Sequence, residues 1–374
     1  MSTTRSYLDH ASSSPLRPEA RAALVDALDL AGDPGRIHTE GLLARTALET
    51  AREQVAALLG ARGREVVLTS GATEAIAAAC WGAAERGPHQ VVTAVEHSAV
   101  RLAAARHGEV SVVGVDGRGR VDGDEVLAAV RPDTAIVHVQ WGNHEVGTTQ
   151  PLADVVAGCR ERGVLVHVDA AQAAGREPIA FRELGADLLS ISGHKLGGPR
   201  GTGALLVRRG LRLRPLLVGG DQERARRAGL ENVAAAAGLG AACAALAAGD
   251  RWRREATEQR RLSDRVLAAA ESTDGVRRYG DPVNRLPHIA CLGIDGVEPQ
   301  AVLLGLDRAG IAAHSGSACS SESLEPSPVL EAMGLDAHHS LRISVGWSST
   351  DADIDRLVDA LPAVVADLRA LARA

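Results

Sequence analysis

Several stretches of this sequence place reactive side chains directly after an apolar run, where a strand gives way to a loop. Ser70-Gly-Ala72-Thr73-Glu74 follows Glu65-Val-Val-Leu-Thr-Ser70, and its small residues open a helix. Free N–H groups and the positive end of the helix dipole suit a phosphate there, although the same run also reads as an ordinary turn and cap. Glu96-His97-Ser98 closes the run Val91 to Val95, where a histidine serves either chemistry or local structure. Asp169 emerges from the apolar Val164 to Val168. A carboxylate in that setting is costly unless it meets a cation or a ligand that needs its charge, or caps a helix. Ser192-Gly-His194-Lys195 leads into a glycine-rich turn. An amine stripped of water there has a lowered pKa and can form a Schiff base, whereas Lys195 alone also reads as a solvated loop residue. Cys319 lies in a Ser-, Gly- and Ala-rich run without apolar periodicity, as a nucleophilic thiolate or a simple exposed thiol.

The combination is more specific than its parts. Asp169 and Lys195 close successive strands at the same end, the end where α/β sheets bind ligands. That pairing fits pyridoxal 5'-phosphate. The lysine holds the aldehyde, the aspartate keeps the pyridine nitrogen protonated, the small polar residues hold the phosphate, and His97 stacks on the ring. A metal-dependent hydrolase built on His97, His167, Asp169 and His194 is the weaker reading. Alternation places His167 and Asp169 on one strand face, but no short metal-ligand motif accompanies them, so no metal is expected.

The elements that must position these groups follow a simple alternation. Helix periodicity runs from Leu42 to Leu59, from Ala72 to Ala84 and from Leu152 to Arg162. Between these helices lie β-branched runs at Val91 to Val95, Val110 to Val115 and Ala135 to Val139. Val164 to Asp169, Asp187 to Ser192 and Ala204 to Val207 then follow. Short apolar strands separated by helices predict an α/β fold with a mostly parallel sheet covered on both faces. After an Ala-rich stretch at Ala234 to Leu246 the chain becomes a long charged helix through about Ala270, which marks a domain boundary. The expected division is a large domain over 13–250 and a small one made of 1–12 and 251–374, with the Cys319 loop in the latter. A final helix carries an apolar stripe through Ile354, Leu357, Leu361 and Val365, with Pro362 as a blemish.

The chain has 374 residues, a formal net charge of −6 and a 45% hydrophobic composition, as expected of a soluble globular protein. Mild acidity without a Lys/Arg block argues against a nucleic-acid or anionic-membrane surface as the main partner. No apolar run is expected to approach the roughly 18–20 residues of a membrane span, and Met1 to Tyr7 lacks the hydrophobic core of an export signal, so export is not expected. Cys80, Cys159, Cys243, Cys291 and Cys319 are far apart without a Cys-x-x-Cys pair, so a reducing, cytoplasmic setting is expected.

Tyr7-Leu-Asp9, Thr69-Ser-Gly-Ala-Thr-Glu74, Glu96-His97, Asn143-His-Glu145-Val-Gly147, His167-Val-Asp169-Ala-Ala-Gln172, Ser192-Gly-His-Lys195 and Ser315-Gly-Ser-Ala-Cys319 lie in this order along the chain. Together they resemble the cysteine desulfurases, members of the class V aminotransferase group of fold-type I pyridoxal-phosphate enzymes. The run from Ser315 to Ser327 is similar to the long cysteine loop of the iron–sulfur-assembly (NifS/IscS-like) type. The resemblance implies a PLP-dependent transferase fold with a large α/β domain and a smaller α+β domain. It also implies removal of sulfur from L-cysteine, giving L-alanine and a persulfide on Cys319 for transfer to a protein acceptor. It makes Lys195 the Schiff-base lysine, Asp169 the partner of the pyridine nitrogen, Gln172 the neighbour of the phenolic oxygen and His97 the stacking, proton-moving imidazole. Ala72, Thr73, Ser192 and His194 match phosphate-side positions, Asn143 and His144 a cofactor- and substrate-side motif, and Arg342 the clamp on the substrate carboxylate. A homodimer is implied as well. The chain departs from the pattern at Leu230, where a phosphate-binding Thr is usual, at His144 within the usual Asn-Asn-Glu, and at Asp33 within the usual Gly-Asn-Pro. Selenocysteine lyase, cysteine-sulfinate desulfinase, an epimerase and a non-catalytic scaffold of the same fold remain the competing readings.

Overall fold

The computed structural model describes residues 5–316 and 326–373. Cys319 lies outside the described residues. The strands are β1 (Ser6–Tyr7), β2 (Val66–Thr69), β3 (His89–Thr93), β4 (Glu109–Val113), β5 (Thr134–Gln140), β6 (Leu165–Asp169), β7 (Leu188–Ser192), β8 (Gly203–Val207), β9 (Val276–Tyr279), β10 (Ile289–Ile294), β11 (Ile311–Ala312) and β12 (Ser340–Ser344). Seven of them form one sheet in the order β2-β8-β7-β6-β5-β3-β4. The pairs from β7 through β6, β5 and β3 to β4 are parallel, and β8 runs antiparallel to both of its neighbours. Each expected strand of this sheet is present with ends shifted by one or two residues.

Alternation along the strands covers the sheet on both faces. In β8, Leu205 and Val207 join the cluster around Ala75, Ala79 and Ala83 of the helix Ala72–Ala83. Ala204 and Leu206 join a cluster fed by Val55 of the helix Thr39–Leu58, Val155 of the helix Leu152–Glu161 and Leu246 of the helix Val233–Ala247. Gly203, at the start of β8, lies back to back with the Gly71 turn: a Cβ there would sit 2.7 Å from the Gly71 backbone. The turn ahead of the helix Ala72–Ala83 therefore lies directly on the sheet.

A second cluster forms around the antiparallel sheet β12-β10-β9. Leu292, Ile294, Leu341 and Ile343 pack there against the helices Arg251–Glu271, Pro299–Arg308 and Asp351–Arg373. Leu8 joins this cluster from the amino end, because the strand β1 pairs with β11. The last helix continues through Pro362.

Two features depart from the sequence expectations. The helices Pro18–Ala27 and Ser98–His107 were not anticipated, since their apolar residues are mostly alanine, which leaves little contrast between faces. Val233–Glu271 is long and apolar enough by length and composition to cross a membrane, contrary to the expectation that no run approaches that length. It bends at Gly249 and Asp250, where φ is 54° and 56°, and half of its apolar window is buried. Its alanine- and glycine-rich first half packs against the helices Pro18–Ala27 and Thr39–Leu58, as the core helix of a folded domain does.

Candidate active site

At the carboxyl ends of β2, β5, β6 and β7 a cavity of about 680 Å³ opens. Ala72, Thr73, His97, His144, Asp169, Gln172, Ser192, His194, Lys195 and Arg342 all line it. Of the anticipated residues within the described part of the chain, only Asn143 does not. Its side chain is fully buried, Nδ2 donating to the Val95 carbonyl at 3.1 Å and Oδ1 accepting from the Glu145 and Val146 amides at 2.8 Å. Those bonds fold the turn after β5 and leave His144 to face the cavity. Asn143 thus shapes the cavity wall from behind in this structure.

One wall is built for an anion. The helix Ala72–Ala83 starts at Gly71 with no side-chain cap, so its first N–H groups face the cavity. Ser192 and His194 flank them. Glu74, in the same turn, is held back by Arg227 at 2.9 Å and by the Ser70 amide at 2.8 Å.

Lys195 ends a single helical turn, Gly193–Lys195, that directly continues β7. Burial lowers its pKa to about 8, the negative charge of Asp169 resisting the shift and Arg342 adding to it. Lys195 is also the only lysine in the chain. Every other position that needs a cation uses arginine, whose guanidinium does not deprotonate in proteins, so a primary amine is kept solely where β7 delivers it into the cavity. Composition held this signal from the start, and motif reading passed over it.

Asp169 ends β6, its Oδ1 accepting from the Ala171 amide at 2.9 Å. Gln172 is held on both sides, donating to the Ala11 carbonyl at 2.9 Å and meeting His288 Nε2 at 3.1 Å. His97 caps the helix Ser98–His107, its Nδ1 accepting from the Ala99 amide at 3.1 Å. The neutral ring then carries its proton on Nε2. Burial, with the Lys195 charge second, lowers the His97 pKa. His144 stands edge-on to His97, ring centres 5.0 Å apart, and burial holds it well below the ordinary imidazole range.

Arg342 reaches the cavity from β12. It donates to the His144 carbonyl at 2.8 Å, to Asp9 at 3.0 Å and to Ser12 Oγ at 2.7 Å, while its buried Nε has no partner. Asp9 and Ser12 come from the amino end and Arg342 from near the carboxyl end, so this cluster is assembled by tertiary contact. Asp9 was visible in the sequence only as part of a motif, and its ion pair with Arg342 gives it a role there.

His314 lines the cavity beside Arg342 and precedes Gly316, whose φ is +103°. A Cβ at Gly316 would lie 2.8 Å from Cγ of Glu145, so only glycine fits at this position. Among the described residues no group of His, Cys, Asp and Glu is arranged to hold a metal ion.

Comparison with known proteins finds similarity over almost the whole chain. The family model described as aminotransferase class-V matches residues 6–357. A cysteine desulfurase of Gluconacetobacter diazotrophicus is 44% identical over 377 residues, 97% of this chain and 94% of that protein. A solved NifS-like protein superposes with a TM-score of 0.89 at 29% identity, covering 97% of this chain and 100% of the other. The solved structure of SspA in complex with cysteine gives a TM-score of 0.81 at 28% identity, over 92% and 100% of the two chains.

Proposed function

The chain belongs to the class V aminotransferase family and has the activity of a cysteine desulfurase; from that premise we propose that pyridoxal 5'-phosphate is held in this cavity and that Cys319 receives the sulfur of L-cysteine as a persulfide. The architecture is fold type I of the pyridoxal-phosphate enzymes. The observation that carries the cofactor reading is the donor set. The chain's only lysine and the carboxylate of Asp169 share a cavity with an uncapped helix start. Lys195 would supply the amine for the cofactor's aldehyde and Asp169 the acceptor for its ring nitrogen. The amides of Ala72 and Thr73, with Ser192 and His194, would hold the phosphate, Gln172 would serve the phenolic oxygen, and His97 would stack on the ring with His144 beside it. When bound, the cofactor withdraws electrons from the substrate's Cα and makes the Cβ–sulfur bond labile.

The protein's own groups do the rest. Arg342 binds the substrate carboxylate, for which its unpartnered Nε and planar fork are suited, in exchange with Asp9. Lys195, with a pKa of about 8, populates both forms near neutral pH and moves the proton at Cα. His97 holds a proton on Nε2 toward the cavity. The Cys319 thiolate forms the S–S bond as the Cβ–S bond breaks; the electron pair stays with the carbon skeleton, which leaves as L-alanine once protonated.

We further propose a cytoplasmic homodimer that passes its sulfur to a protein acceptor, with residues 13–250 as the large domain and 1–12 with 251–374 as the small one. Leu230 carries no hydroxyl where the resemblance leads one to expect a Thr that reaches the phosphate of a neighbouring subunit. The test is Cys319→Ser. The variant is expected to keep the visible absorption of the bound cofactor and to release no sulfide from L-cysteine; full sulfide release would overturn the persulfide step.

A further inference from the structure

Beneath the cavity floor a row of polar side chains crosses the large sheet, entirely inside it. Cross-strand register pairs Asp169 with Ser190 and His167 with His138. His167 and Asp169 are two residues apart on β6 and share a face, which links the two pairs. The contacts follow this geometry. Asp169 Oδ1 lies 3.5 Å from Ser190 Oγ, the longest link. Ser190 Oγ lies 3.1 Å from His167 Nε2, and His167 Nδ1 lies 3.1 Å from His138 Nδ1. His138 Nε2 meets the Gln90 side chain at 3.0 Å and Cys80 Sγ at 3.7 Å. Gln90, His138, His167 and Ser190 are all fully buried, a costly arrangement in a sheet that also buries many Val, Ile, Leu and Ala side chains.

Proton counting gives the row a direction. Burial pushes His138 to a pKa of about 3 and holds His167 well below the usual range, so both rings are neutral, each with one donor and one acceptor nitrogen. With the Ser190 hydroxyl donating to Asp169, His167 Nε2–H donates to Ser190. His138 Nδ1–H then donates to His167 Nδ1. His138 Nε2 is left to accept, from Cys80 S–H or from the Gln90 amide turned over. Turned over, that amide presents Nε2 to His138, and Gln90 Nε2, which otherwise has no partner, gains one. The reverse order would set the lone pairs of Ser190 against a carboxylate oxygen, which is repulsive unless Asp169 carries a proton.

We propose that Ser190, His167 and His138 form a one-way chain of hydrogen-bond donors that holds the Asp169 carboxylate in position, and thereby tunes the protonation of the ring nitrogen of the cofactor bound above it. They are positioning residues, since they act through Asp169 and do not touch substrate. The inference rests on the cofactor reading given above. It assigns a purpose to two buried histidines that the reaction itself does not use.

The experiment compares the unaltered protein with Ser190→Ala and His167→Asn, each loaded with pyridoxal 5'-phosphate without cysteine. The dissociation constant of the cofactor and the ratio of its absorption bands at one fixed pH are measured, followed by kcat and KM with cysteine. Losing a hydrogen bond to a charged group is expected to raise the dissociation constant about tenfold, change the band ratio and lower kcat with little change in KM. Ser190→Ala removes a single oxygen atom, so it decides the matter should His167→Asn fail to fold. If the unaltered protein shows the bands while Ser190→Ala leaves affinity, band ratio and kcat within twofold, the chain of donors is overturned and the cofactor reading stands. If the unaltered protein shows no bands, the cofactor reading falls and this inference with it.

Discussion

The two larger sheets of this molecule bury opposite materials. The seven-stranded sheet carries Gln90, His138, His167, Ser190 and Asp169 through its interior, and its strands end on Lys195 and the cavity. The three-stranded sheet β12-β10-β9 presents Leu292, Ile294, Leu341 and Ile343 to its helices and contributes Arg342 at its margin. Buried polar groups weaken a core unless every partner is supplied, so their concentration in one sheet marks where chemistry outweighs packing. The small sheet packs on its helices mainly through hydrocarbon, with Ser340 and Ser344 pinning neighbouring loops, and it serves the reaction by where it places one arginine.

The contrast can be broken experimentally, the largest effect first. Lys195→Ala should lower turnover with L-cysteine by on the order of 10⁴-fold or more while leaving the thermal unfolding midpoint of the cofactor-free protein nearly unchanged. Because no other lysine exists, borohydride treatment of the cofactor-loaded parent followed by peptide mass analysis should label this residue and no other side-chain amine. A labelled variant, or a variant with normal turnover, would remove Lys195 from the mechanism.

Leu292→Ala, in the small sheet, should do the converse. Truncating a fully buried leucine costs ~2–5 kcal/mol of stability, whereas activity per folded molecule is expected to hold. Denaturant unfolding and cofactor-normalised turnover check both halves. A loss of turnover larger than the loss of folded protein would show that the small sheet does more than hold Arg342 in place.

The smallest effect concerns pH. Burial, with the nearby negative charge of Asp169, pushes the pKa of Glu96 up to about 8, although its Oε1 accepts from Thr93 at 2.8 Å and the Gln140 amide at 2.7 Å. The folded state thus keeps a proton that the unfolded chain releases above its ordinary carboxylate pKa, so stability falls as pH rises from about 4.5 to 8. The buried His138 works the other way. It is neutral when folded, and stability is lost as pH falls from about 6.5 toward about 3. Glu96→Gln should flatten only the alkaline slope, raising the unfolding midpoint at pH 8 by about 1–3 °C relative to its value near pH 5. Equal slopes in parent and variant would refute the assignment.

Much of the large sheet was legible because its strands are short apolar runs that end on distinctive residues, so Asp169, Lys195, His97 and the Ala72-Thr73 turn were found where β6, β7, β3 and β2 release the chain. Less legible were the alanine-rich helices Pro18–Ala27 and Ser98–His107, whose faces differ little in apolarity. Asn143 and His144 were not separable at all. Adjacent residues on an irregular turn are sorted by which one the local amides capture, and here the amides of Glu145 and Val146 captured Asn143.

The sequence by itself determined the order of strands and helices, the end of the sheet at which reactive groups appear and the family to which the chain belongs, since these depend on side-chain type and local spacing. Only the tertiary structure decided that Asp9 and Ser12 meet Arg342 across the length of the chain, that His144 turns inward, and that Ser190, His167 and His138 line up behind Asp169. The reason is physical. Lateral strand order and cross-strand register bring together residues far apart in the chain, and competition among buried donors and acceptors for the same partners is settled only once the sheet has formed.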